Sequence, residues 1–130
     1  MRKKYNKKMI KKLAIESMQS SYSPYSNYKV GACVLGEDNK FYKGTNIENA
    51  SYGLTICAER TSIFKAISEG NQRIKKIAIA TKDGGYPCGA CRQVMAEFGN
   101  NDLEIIIINI TTNKNIYITL GELLPRAFRL

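Results

Sequence analysis

Apolar side chains recur at helical spacing in the first part of this chain. Over residues 6–20, Met9, Ile10, Leu13, Ala14 and Met18 fall on one face of a predicted helix. The turn-rich run Ser21-Tyr22-Ser23-Pro24-Tyr25-Ser26-Asn27 ends it. Over residues 28–35 the period changes to two, with Tyr28, Val30, Ala32 and Val34 on one face of a strand. Glu37-Asp38-Asn39-Lys40 reads as a hairpin turn and residues 40–47 as the returning strand. So short a link cannot cross over, so the two strands pair antiparallel.

Helical spacing returns over residues 59–69, at Ile63, Phe64, Ala66 and Ile67, and Gly70 supplies a stop. Residues 73–81 centre on Ile77-Ala78-Ile79-Ala80, apolar on both faces, as in a central strand covered on both sides. Pro87 is placed to open a helix over residues 88–98, which Gly99 closes. Residues 103–110 form a largely apolar strand and residues 115–118 a short last one. Thr119-Leu120-Gly121-Glu122 matches a capping box for a terminal helix limited by Pro125. Helices interleaved with strands in this order imply crossover units. The predicted architecture is α/β, a three-layer α-β-α arrangement around a mixed five-stranded sheet. A chain of 130 residues is expected to form one domain over residues 1–130, long enough to bury a core without disulfides.

Composition narrows the classes. An apolar fraction of 44% fits a folded, soluble protein. The longest strongly apolar runs are about four residues, far below the roughly twenty that span a bilayer. Lys11 and Lys12 interrupt any apolar stretch after the basic start, so no secretory signal is expected and the location expected is cytoplasmic. In that setting, four cysteines point to thiols or metal ligands rather than disulfides. The net charge of +9 invites a nucleic-acid role. Seven of those charges, however, lie in Arg2, Lys3, Lys4, Lys7, Lys8, Lys11 and Lys12, which leaves the remaining chain at only +2. A solvated helix face is the favoured interpretation; an RNA-contacting patch is the alternative.

The chemistry sits in two short segments, Cys57-Ala58-Glu59 and Pro87-Cys88-Gly89-Ala90-Cys91, in a chain without histidine. Three thiolates bind zinc strongly and leave its fourth position to water. Cys88 and Cys91, at i and i+3, share a helix face, and helix N-termini favour thiolate over thiol. With no imidazole present, Glu59 is the group placed to move that water's protons. Arg60 and Arg92 each follow a ligand segment and could donate hydrogen bonds to sulfur, a means of tuning a metal from outside its ligand shell; a plain surface role competes for either, and Arg60 is the favoured donor. Three other interpretations compete. A closed structural site would recruit Cys33, but that cysteine lies in an apolar strand, where it behaves as a small core residue. A redox pair would need only Cys88 and Cys91. An ordinary first-turn glutamate would complement the dipole of its helix.

Cys57-Ala58-Glu59-Arg60 together with Pro87-Cys88-Gly89-Ala90-Cys91-Arg92-Gln93 resembles the signature of the zinc-dependent nucleoside and nucleobase deaminases. Tyr25-Ser26-Asn27-Tyr28-Lys29-Val30-Gly31-Ala32, Gly44-Thr45-Asn46-Ile47-Glu48-Asn49-Ala50-Ser51-Tyr52 and Leu123-Leu124-Pro125-Arg126-Ala127-Phe128 resemble the small cytidine deaminases. The resemblance implies one zinc per subunit on Cys57, Cys88 and Cys91, and Glu59 as proton shuttle. It also implies hydrolysis of cytidine or deoxycytidine to the uracil nucleoside plus ammonia, in pyrimidine salvage. Asn46 and Glu48 take the positions that hydrogen-bond the ribose, and Ala58 offers backbone groups to the base edge. Tyr28 stands where the family usually has a phenylalanine stacking near the pyrimidine; its hydroxyl needs a partner. Phe128 matches an aromatic that reaches a neighbouring subunit's site, in a homotetramer with shared active sites. Relatives acting on RNA or DNA usually carry a helix between the last two strands. Here only Thr111, Thr112, Asn113 and Lys114 separate Ile110 from Asn115, so a hairpin is expected and a free nucleoside rather than nucleic acid.

Overall fold

The computed structural model of the chain describes residues 2–130 and, of Tyr5, the backbone alone. Helix α1 (Arg2–Ser17) runs into a short 3-10 turn (Met18–Ser20). Strands β1 (Gly31–Gly36) and β2 (Phe41–Thr45) follow, then helix α2 (Ala58–Ser68), strand β3 (Ile74–Thr81) and helix α3 (Gly89–Phe98). Strands β4 (Glu104–Asn109) and β5 (Lys114–Thr119) and helix α4 (Leu120–Leu123) complete the order. The five strands form one sheet in the order β2-β1-β3-β4-β5. Within this sheet β3 and β4 pair parallel, joined through α3, and the other three pairings are antiparallel.

Two apolar cores lie on opposite faces of the sheet. On one face, Ile10, Ala14 and Met18 pack on Cys33, Leu35, Ala78, Ala80, Ile106 and Ile108. On the other, Val34, Ile77, Ile79, Ile105 and Ile107 meet Ile63 and Ala66 of α2, Cys91 and Met95 of α3, and Leu120 of α4. The expected three-layer arrangement is therefore present. Two glycines set the spacing of its layers. A Cβ on Gly31 would stand 2.0 Å from the Ala14 carbonyl oxygen, and one on Gly44 would stand 2.4 Å from the Ser62 nitrogen and 2.7 Å from the Ala58 oxygen. The first lets α1 lie close on β1. The second brings the N-terminal half of α2 against β2.

Several boundaries differ from the sequence expectation, each for an identifiable reason. Helix α1 starts at Arg2 rather than near residue 6, because lysine and arginine are good helix formers that leave no apolar period to read. Strand β1 begins at Gly31, not Tyr28, and all six of its residues are buried. It lies between β2 and β3 beneath α1 and α2, so the predicted one-sided alternation does not apply. Phe64, at helical apolar spacing, is 44% exposed. The hairpin between β4 and β5 is as expected, with Asn113 in the left-handed region (φ 61°). The capping box on α4 is also present: Thr119 accepts from the Glu122 nitrogen, and Glu122 accepts from the Thr119 nitrogen. Part of the lysine-rich helix is engaged within the fold. Lys11 donates to the Tyr117 hydroxyl over 3.0 Å, and Lys7 lies 4.6 Å from that ring's centroid.

Candidate active site

Cys57 and Cys88 are the N-cap residues of α2 and α3. Both have extended backbone, and neither side chain caps its own helix, so both sulfurs are free to face a common point. Cys91, in the first turn of α3, is fully buried beside them. The segment entering α2 is fixed by a two-way backbone bridge: Ile47 donates to the Ile56 oxygen and Ile56 to the Ile47 oxygen, each over 3.0 Å.

The three sulfurs lie within 4.8 Å of one another, and Cys57 and Cys88 are 4.0 Å apart. Tetrahedral zinc with Zn–S bonds of about 2.3 Å separates its sulfurs by roughly 3.8 Å. The donor set and spacing therefore fit zinc. Cys33 does not join them. It is fully buried under α1, where burial pushes its thiol up to about 12. Among the described residues, Cys57, Cys88 and Cys91 are the group able to hold a metal ion.

Arg60 donates from its guanidinium to the Cys57 sulfur over 3.1 Å. The neighbouring Cys91 and the Arg60 guanidinium hold the Cys57 thiol below its ordinary range, which favours the thiolate that zinc binding needs. Arg92 is occupied elsewhere, donating to the carbonyls of Pro87 and Leu123 over 2.7 and 2.8 Å. It thus fastens the loop before Cys88 to the end of α4.

A cavity of about 310 Å³ opens beside the sulfurs. Cys57 and Cys88 line it together with Tyr28, Asn46, Glu48, Ala58 and Glu59. Glu59 is only 6% exposed; burial pushes its carboxyl up to about 7, and the nearby Cys57 sulfur adds to the shift. Ala58 opens α2, where backbone N–H groups lack helical partners. Asn46 is largely committed within the chain. Its Nδ2 donates to the Tyr28 oxygen over 2.8 Å, and its Oδ1 accepts from the Val30 nitrogen over 3.0 Å and from the Ser21 hydroxyl. One Nδ2 hydrogen remains for a ligand. Glu48 accepts from the Tyr25 nitrogen and the Ser26 hydroxyl, which lowers its carboxyl below the ordinary range.

Phe128 is not brought to this cavity. It is 70% exposed, and its oxygen accepts from Gln93. Sequence patterns did not single out Val30, Thr55, Ile56, Ile79, Thr81, Gly85 and Tyr86, which also line the cavity. Thr81 and Ile79 arrive because β3 ends there. Gly85 and Tyr86 belong to the loop before Pro87. Among the described residues, the lining contains Glu48 and Glu59 and no basic side chain.

The family pattern described as "Cytidine and deoxycytidylate deaminase zinc-binding region" matches residues 4–107. The cytidine deaminase of Halalkalibacterium halodurans is 48% identical over 125 residues, covering 95% of this chain and 94% of its own. That of Sporosarcina psychrophila is 44% identical, covering 92% and 90%. Among solved structures, cytidine deaminase from Burkholderia pseudomallei superposes with a TM-score of 0.88 at 41% identity, covering 92% of this chain and 97% of that one. The Mycobacterium tuberculosis enzyme gives 0.82 at 38%, covering 95% and 97%.

Proposed function

Since the chain belongs to the cytidine and deoxycytidylate deaminase family, we propose that it hydrolyses cytidine or deoxycytidine to uridine or deoxyuridine plus ammonia, in pyrimidine salvage. The observation that carries this assignment is the placement of the Glu59 carboxyl in one cavity with the sulfurs of Cys57 and Cys88. Cys57, Cys88 and Cys91 would hold zinc, which when bound would supply the Lewis acidity that makes water a nucleophile at neutral pH.

The chain's own groups do the rest. Glu59 takes a proton from the attacking water and delivers it to N3 of the pyrimidine, which makes C4 electrophilic. Oxygen bonds to C4 and the ring passes through a tetrahedral state. Glu59 then carries the second water proton to the exocyclic amine, the C4–N bond breaks, and ammonia leaves. Arg60 bonds to the Cys57 sulfur and draws off charge that three thiolates would otherwise place on the metal. Backbone groups at Ala58 meet the base edge, Tyr28 covers the ring, and Asn46 and Glu48 face the sugar. Burial of Glu59 beneath the base excludes bulk water from the proton path.

A nucleoside suits this cavity better than a nucleotide. The Glu48 carboxylate lines its wall, and among the described residues no basic side chain does, so a phosphate would meet like charge. The tight β4–β5 hairpin also favours a free nucleoside over a polynucleotide. We further propose a homotetramer in which Phe128 serves a neighbouring subunit's cavity, supported by its exposure and by its absence from the lining of its own chain's cavity. Light scattering on the purified protein tests the assembly.

The test of function follows the ultraviolet absorbance of cytidine with purified protein, before chelation, after it, and after zinc is restored. Loss and recovery of deamination are expected. Persistent activity in metal-free protein would exclude the proposal.

A further inference from the structure

Tyr28 is fixed at both ends. Its carbonyl oxygen accepts from Asn46 Nδ2 over 2.8 Å, and its backbone nitrogen donates to the Ser26 hydroxyl over 3.0 Å. At the far end of the ring, its hydroxyl donates to Asp83 Oδ1 over 2.5 Å. Asp83 lies in the loop that leads from β3 to Pro87 and Cys88, 55 positions away from Tyr28 in sequence.

That loop is shaped around the contact. Thr81 Oγ1 donates to the same Asp83 oxygen over 3.3 Å and accepts from the nitrogens of Gly84 and Gly85 over 2.8 and 3.0 Å. Gly84 has φ +73°, a conformation that side chains disfavour. A Cβ on Gly85 would stand 2.9 Å from the Tyr28 hydroxyl. Two consecutive glycines thus let the turn fold under the phenol and present the carboxylate to it. The Lys82 ammonium, 5.7 Å from the ring centroid, lies over the same aromatic. The carboxyl of Asp83 is lowered chiefly by this hydrogen bond, while Tyr28 is raised by burial and then by Asp83. At neutral pH the pair is therefore a phenol donating to a carboxylate.

We infer that Asp83 is a positioning residue for the pyrimidine: by accepting the Tyr28 hydroxyl it fixes the rotamer of that side chain and the place of its ring in the cavity, and ties it to the segment carrying Cys88. A tyrosine ring without this tether can swing about its Cα–Cβ bond and sample other rotamers, and the substrate must then pay that ordering on binding. Asp83 does not touch the reacting atoms, so it acts on substrate capture rather than on the chemical step. The inference rests on the deaminase assignment and adds to it a residue that no spacing motif contains.

The test is a double-mutant cycle on the zinc-loaded protein with Tyr28→Phe, Asp83→Ala and both together, plus Asp83→Asn. Asp83→Ala is expected to raise KM for cytidine about three- to tenfold, the net span of one ordinary hydrogen bond acting through the ring, with kcat reduced less than about twofold. Tyr28→Phe should match it. The double variant should be no worse than either single one, because both remove the same bond. Asp83→Asn retains an acceptor oxygen and should recover most of the loss. Additive losses in the double variant, an unaltered KM in Asp83→Ala, or an effect confined to kcat would each overturn the inference while leaving the deaminase intact. A zinc-loaded wild type that leaves cytidine unchanged would overturn both.

Discussion

The Arg60 guanidinium reaches back along α2 to donate to the Cys57 sulfur over 3.1 Å. The two residues are three positions apart, so the contact follows from helix geometry once Cys57 occupies the N-cap. Replacing the arginine leaves the ligands in place but removes the donor. Arg60→Ala is expected to weaken zinc retention or turnover by about ten- to a hundredfold, the usual effect of losing an outer partner of a metal ligand. Competition against a chelator, read beside kcat, measures both. An unchanged variant would mean the contact is only a surface bond.

Cys33 sits fully buried under α1, outside the sulfur cluster. Cys33→Ala should therefore leave zinc content at one per subunit. It should cost about 1 kcal/mol of stability, the scale of trimming a small buried side chain. Metal analysis combined with denaturant unfolding provides both numbers. A drop in zinc would make Cys33 a ligand and the site a closed structural one.

Gly44 faces the Ala58 oxygen and the Ser62 nitrogen too closely to admit a side chain. Gly44→Ala is expected to push α2 off β2 at a cost of about 1–3 kcal/mol, as overpacking does. Because α2 carries Cys57 and Glu59, activity should fall with it. Thermal unfolding and turnover of the same preparation test the pair of effects; an unaffected melting temperature would mean that the backbone yields freely there.

A pH effect away from the site follows from Asp38. Its carboxylate accepts from the Tyr42 hydroxyl, the Lys40 nitrogen and Asn71 Nδ2, and the Tyr42 bond chiefly holds it below the ordinary range. A carboxyl lowered on folding stabilises the fold above its unfolded value, about 3.9, and loses that contribution as pH falls through the folded value. Asp38→Asn should thus be less stable than wild type near neutrality, with the gap closing below about pH 4. Parallel urea titrations across pH 3–7 decide it; a gap that stays constant would assign the difference to shape rather than charge.

Periodicity revealed the elements whose apolar faces meet the sheet, such as Ile10 and Ala14 of α1 or Ile77 and Ile79 of β3. It failed where side-chain bonds replace ladder pairing. Residues 28–30 look like strand, yet Tyr28 and Val30 are held by the Asn46 amide instead. The ligand cluster was legible because helix starts place Cys57, Cys88 and Cys91, and short spacing records that. Asp83 was not, since its partner lies on a distant segment and no local pattern links them. Nor could spacing show that Arg92 serves the Pro87 loop and α4 instead of sulfur.

The most direct test of the central claim is the turnover of Glu59→Ala at full zinc occupancy. Glu59 is buried in the cavity beside the sulfurs and is the group assigned to every proton movement in the reaction. The variant should keep one zinc per subunit and its fold, and lose deamination by about a thousandfold or more, since one carboxylate acts as both base and acid. A zinc-loaded variant that deaminates cytidine within tenfold of wild type, on the scale of about 1.4 kcal/mol, would contradict the account.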